Sequence, residues 1–128
     1  MAKPVDMELR KAFMELHLKM VETSEKIQII DAQLDMFKRH LQHVDVTQRE
    51  ISTLPPGTKT YESVGRMFLL TDLEEVKTNL KNREAQVIAR TTELTNNKQY
   101  LEKNLKESEE PIREMVRQRK NQNDPKSN

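Results

Sequence analysis

The chain has 128 residues, in which charged and hydrophobic residues each make up 34%, aromatics 4%, and tryptophan and cysteine are absent. That balance excludes a large self-contained core, while the regular placing of the apolar residues excludes disorder; long helices in a coiled coil satisfy both. A net charge of +1 supplies no field to draw nucleic acid or an anionic membrane, and the lack of cysteine removes disulfides, thiol nucleophiles and thiolate metal sites.

The N-terminal stretch MAKPVDMELRKAF is charged throughout and lacks the apolar core of a secretory signal. No run approaches the ~20 apolar residues needed to span a bilayer, so a cytoplasmic location without membrane contact is the expectation. From Leu9 the spacing alternates four and three through Phe13, Leu16, Met20, Thr23, Ile27, Ile30, Leu34, Phe37, Leu41 and Val44. Only Thr23 departs from the apolar set, which predicts a coiled-coil helix over 5–44, with Pro4 and Asp6 suited to its start.

The stretch 45–57 reads as a linker. Thr47 and Glu50 stand at capping-box spacing, which predicts a short helical turn before Pro55-Pro56-Gly57 ends it. Gly57 and Gly65 bracket a segment rich in Thr, Tyr and Val, predicting a β-hairpin over 58–71. Met67-Phe68-Leu69-Leu70 is apolar without a break, and such a strand turns apolar side chains to both faces. A lone hairpin cannot bury both and is marginal in water, so strands from other chains are expected to complete it.

Thr71 and Glu74 repeat the capping-box spacing and open a second helix over 72–120. Its seam runs through Leu73, Val76, Leu80, Val87, Leu94, Leu101, Leu105, Ile112 and Met115, with Glu84, Thr91 and Lys98 in alternate seam places. Pro111 should kink or interrupt it. The stretch 121–128 is polar and reads as a flexible tail. The connection is too short for parallel helices, so they fold back antiparallel in one domain, 1–128, with the hairpin at one end and the termini at the other.

The sequence contains no catalytic constellation. His40 and His43 lack a third ligand, and the glycines are too far apart for a phosphate loop. Glu74-Glu75 and Glu109-Glu110 have no pocket to separate their pKa values and read as solvated helix faces. Arg113, Arg117, Arg119 and Lys120 are mixed with Glu109, Glu110 and Glu114, which suits a helix C-terminus better than nucleic acid. Met7, Met14 and Val21 repeat every seven residues outside the seam. That row either packs on a neighbouring chain or offers an adaptable binding surface.

The order helix, single hairpin YESVGRMFLL, capped helix, together with the start PVDMELRKAF and the late IREM at Ile112–Met115, resembles the β-type subunits of the eukaryotic prefoldin family. The likeness covers roughly Pro4 to Arg119, and the hairpin is its most specific part. It implies a mainly α fold, a long antiparallel coiled coil whose hairpin completes an inter-subunit β-barrel. It also implies a non-enzymatic, ATP-independent chaperone in a heterohexamer of two α-type and four β-type subunits. Such complexes hold unfolded actin and tubulin at coiled-coil tips and deliver them to the cytosolic chaperonin, without nucleotide or metal. Carried onto this chain, subunit assembly falls to Tyr61, Val64, Met67, Phe68, Leu69 and Leu70. Unfolded-substrate binding falls to Val5, Met7, Leu9, Phe13, Ile112, Met115 and Val116. The competing reading is a structural coiled-coil tether or adaptor, which has no need of the β segment.

Overall fold

The heptad residues of the N-terminal half lie on one continuous helix, α1 (Pro4–Ser52), in a computed structural model that describes residues 4–123. Two strands follow, β1 (Thr60–Val64) and β2 (Met67–Thr71), and then a second continuous helix, α2 (Leu73–Asn123). The mainly helical architecture with one antiparallel hairpin is the one expected from the sequence.

Three boundaries differ from expectation. The helical turn placed inside a linker is part of α1: the Thr47 hydroxyl donates to the His43 carbonyl at 2.8 Å, a bond made in a helix interior and not at a cap. Nothing in that stretch breaks a helix, and the seam simply runs on through Val44 to Ile51. Helix α2 also persists through Pro111 to Asn123, so the proline neither ends it nor leaves 121–123 as tail; 124–128 lie outside the described residues. Thirdly, Thr71 does not cap α2. Its hydroxyl donates to the Leu69 carbonyl, and Asp72 takes the half-helical position, its carbonyl accepting the Val76 N–H at 2.9 Å.

The end of α1 is closed by its own polar side chains. Ser52 Oγ donates to the Arg49 carbonyl at 2.6 Å, and the Glu50 carbonyl accepts both Thr53 Oγ1 at 2.7 Å and the Thr53 N–H at 3.3 Å, so side chains help to satisfy the carbonyls of the last turn. Pro55 then forbids continuation. Pro56 and the positive φ of Gly57 (85°) form a turn that Thr58 closes by donating to the Pro55 carbonyl, the type II arrangement with proline before glycine. At the hairpin tip Gly65 has φ 62°, and among the described residues no other residue type has positive φ, which fits a two-residue type II′ turn and the right-handed twist of the strands.

The chain divides into two compact units. The hairpin unit, Ala32–Thr95, holds most of the buried apolar residues: Val44, only 2% exposed, with Leu73, Val76 and Val87. Antiparallel pairing of its helices is marked by the Gln48 amide donating to Glu84 Oε2 at 2.9 Å. The helix-end unit consists of the residues up to Asp31 and those from Asn96 on, with Ile30 and Thr23 buried between its helices. Its helices are also antiparallel, tied by Lys19 Nζ to Ser108 Oγ at 2.6 Å and Lys98 Nζ to Asp31 Oδ1 at 2.7 Å.

Every expected seam residue of α1 from Thr23 to Val44 is buried or half-buried, as is every one on α2. Glu84, Thr91 and Lys98 lie inside the seam as well. Before Thr23 the expectation fails at two places: Phe13 and Met20 are exposed, and Ala12 and Lys19 turn inward instead. At the second place the partner helix favours the change, since Ser108 presents a hydroxyl that Lys19 reaches and Met20 could not use.

Candidate functional site

Two surfaces stand out, and each belongs to one unit. In the hairpin unit the register pairs Tyr61 with Leu70, Glu62 with Leu69, Ser63 with Phe68 and Val64 with Met67. Strand alternation therefore puts Tyr61, Phe68 and Leu70 on one face and Val64, Met67 and Leu69 on the other. All six are exposed, Phe68 most of all at 75%. The hairpin is anchored at its base and, through Glu62, at the middle of β1. Thr71 is buried, Thr60 donates its hydroxyl to the Thr71 carbonyl, and Asn79 of α2 donates to the Glu62 carboxylate at 3.2 Å.

A two-stranded sheet also leaves one unpaired backbone edge on each strand. The hairpin thus combines bare apolar faces with two open edges. Both deficits would be met by the same event, the addition of strands whose side chains cover the faces. A cleft of about 430 Å3 beneath β1, lined among others by Thr60, Ser63, Val76 and Arg83, is mixed in polarity and holds no catalytic grouping.

In the helix-end unit, the residues marked for substrate binding separate into two sets. Leu9, Ile112 and Met115 are half-buried in the seam. Met7, Phe13 and Val116 are exposed, at 65%, 45% and 39%. Val5 sits in the first turn of α1, and its side chain lies outside the described residues. Phe13 and Val116 come together with Leu16 and Ile112 in an open groove of about 420 Å3, whose rim carries Glu109, Arg113 and Arg117. The groove therefore combines an apolar floor with charges of both signs at its rim.

The row of Met7, Met14 and Val21 is exposed as expected, and it is longer than the spacing of seven indicated. Leu18 and Ile29, both exposed, fall on the same face of α1. Steps of eleven from Met7 to Leu18 to Ile29 return to one side of a helix with 3.6 residues per turn, and that repeat was available in the sequence.

Electrostatics add no chemistry. Arg113 and Arg117 fold back onto Glu109 and Glu114 of their own helix at 3.1 and 3.9 Å, so these two charges of the basic run are compensated within the helix. His17, His40 and His43 are exposed, and among the described residues no cluster of three or more side chains could hold a metal ion. No helix of the described residues is long and apolar enough to cross a membrane.

Comparison with known proteins agrees with this geometry. A family profile described as prefoldin subunit matches residues 14–119. Prefoldin subunit 1 of Homo sapiens is 41% identical over 122 residues, covering 95% of this chain and 100% of that protein. Prefoldin subunit 1 of Danio rerio is 40% identical with the same coverage, and that of Arabidopsis thaliana 36% identical over 113 residues, 85% of each chain. Among solved structures, the prefoldin beta subunit from Thermococcus strain KS-1 matches with a TM-score of 0.73 over 86% of this chain and 93% of that one. At 20% identity the last is a likeness of fold.

Proposed function

This chain belongs to the prefoldin subunit family, components of a chaperone complex, and from that premise we propose that it is a β-type subunit of a heterohexameric, ATP-independent holding chaperone. Its hairpin joins those of sister subunits, two α-type and four β-type in all, in a shared β-barrel. Its helix ends hold unfolded polypeptides, actin and tubulin among them, and pass them to the cytosolic chaperonin. The complex works in the cytoplasm.

One observation carries this reading: six apolar side chains of a two-stranded hairpin are exposed on both faces. At about 25 cal/mol per Å2 of apolar surface, leaving them in water forfeits several kcal/mol that assembly recovers. A tether or adaptor needs no such element. The exposed groove of Phe13, Leu16, Ile112 and Val116 supports client holding at the helix ends.

The test is in two parts. The full-length chain is mixed with defined sister subunits and weighed intact by native mass spectrometry; a discrete hexamer is expected, and a homodimer stable alone would favour the tether. Variants lacking Val5–Phe13 and Ile112–Val116 are then assembled. They are expected to form hexamers and to lose suppression of aggregation of denatured actin. Undiminished protection would remove client binding from the helix ends.

A further inference from the structure

Within the helix-end unit, three features that loosen a coiled coil fall at one level. Pro111 lies inside α2 and is exposed, in a helix that runs on to Asn123. It has no N–H to give to the Glu107 carbonyl four residues back, and its ring crowds that oxygen. One turn earlier, Ser108 Oγ donates to the Asn104 carbonyl at 2.8 Å, a back-bond that competes for the helix ladder and favours bending. The same Ser108 Oγ accepts from Lys19 Nζ at 2.6 Å across the seam.

The facing stretch of α1 is equally polar. Between Leu16 and Ile27 the inward positions are Lys19 and Thr23, with Met20 turned out. Beyond this level, toward the ends, the seam is apolar again through Leu9, Ala12 and Leu16 on α1 and Ile112 and Met115 on α2. Half-buried Asn104 belongs to the same polar level, and inward of it Ile27 and Ile30 on α1 and Leu101 and Leu105 on α2 form an apolar stretch that runs as far as the Lys98–Asp31 pair. An apolar terminal block is therefore set apart from an apolar body by a polar interval that coincides with a missing helix hydrogen bond.

We propose that Lys19, Ser108 and Pro111 form a hinge about which the terminal segments, α1 up to Leu16 and α2 from Pro111 onward, separate as one unit while the body of the coil stays closed. Opening bares Leu9, Leu16, Ile112 and Met115, which the closed seam keeps half-buried, and adds them to the exposed Phe13 and Val116. The hinge itself stands independently of the client reading; only the use made of that extra surface rests on it.

Hydrogen exchange followed by mass spectrometry on the full-length chain tests the hinge without any client. Amides of Leu9–Leu16 and Ile112–Gln118 are expected to exchange about tenfold or more faster than those near Ile27–Ile30 and Leu101–Leu105, with a step at Lys19 and Ser108. Pro111→Ala restores the missing donor and is favourable to helix, so it folds. It should slow exchange about tenfold in both terminal segments, including the α1 segment it does not alter. Lys19→Leu combined with Ser108→Leu should slow both by a separate route. Rates that rise smoothly toward the termini without a step, or a Pro111→Ala effect confined to α2, would overturn the hinge. Client protection is scored separately, so its failure leaves the exchange result standing.

Discussion

The Lys98 ammonium lies 2.7 Å from the Asp31 carboxylate, an ion pair formed from a seam position of α2 where a heptad places an apolar side chain. The hydrogen bond to Asp31 raises the Lys98 pKa above its ordinary value, partial burial pulls it the other way, and the charges of Asp31 and Glu102 add to the rise. A raised folded-state pKa contributes stability fully present below the unfolded value of 10.5 and lost as pH climbs through the folded value. Wild type and Lys98→Met, compared by thermal unfolding with circular dichroism, should therefore differ by a constant amount from neutral pH up to about pH 10, and the difference should change above it, with wild type losing ground. A constant difference through pH 11.5 would show that the pair contributes nothing to folding.

Val44 and Val46 sit two residues apart on α1, one nearly sealed and the other in water. Val44→Ala removes two buried methyl groups and should cost about 2 kcal/mol in urea unfolding, from transfer and residual cavity together. Val46→Ala should stay within about 0.5 kcal/mol. Equal effects would mean that the seam of the hairpin unit has another phase.

Why that phase was readable from Thr23 to Val44 and not before it is a matter of which interactions decide it. Over Ile27, Ile30, Leu34, Phe37, Leu41 and Val44 burial alone sets the inward side, and burial is written in a residue's own type. At Lys19 the decision belongs to Ser108, far away in the chain, so spacing on α1 could not reveal that Met20 turns outward. Capping-box spacing is ambiguous for a related reason. Thr47 and Glu50 have the right separation, but the same separation occurs inside any helix, and only a breaker between them and Val44 would have made the start real. Pro111 taken alone disfavours a helix, whereas its helix is held by seam residues on both sides of it, Leu105 before and Ile112 after. The hairpin was legible because Gly57 and Gly65 are placed where positive φ is required, 85° and 62°.

Phe68→Asp separates assembly from folding. Phe68 is exposed and sits opposite Ser63, so a charge there should alter the stability of the lone chain by no more than about 0.5 kcal/mol. In a completed barrel the same charge would be buried and unpaired, which costs far more. Native mass spectrometry with sister subunits should show the hexamer gone while the helical signal of the free chain is unchanged. Hexamers at the wild-type level would exclude this hairpin face from the interface.

The two exposed apolar surfaces of the helix-end unit make different offers to an unfolded chain. The groove of Phe13, Leu16, Ile112 and Val116 is concave, and a side chain lodged in it leaves water on several sides. Met14 and Leu18 stand on the convex back of α1, where a partner side chain is covered on one side only. Phe13→Ser with Val116→Ser should weaken holding of denatured actin about tenfold, the effect expected from losing one well-buried apolar contact. Met14→Ser with Leu18→Ser should weaken it by a smaller factor, because less area leaves water there. Light scattering at a series of chaperone concentrations gives both numbers. If the order is reversed, the client surface is the outer row of α1, and the groove serves only to widen the seam.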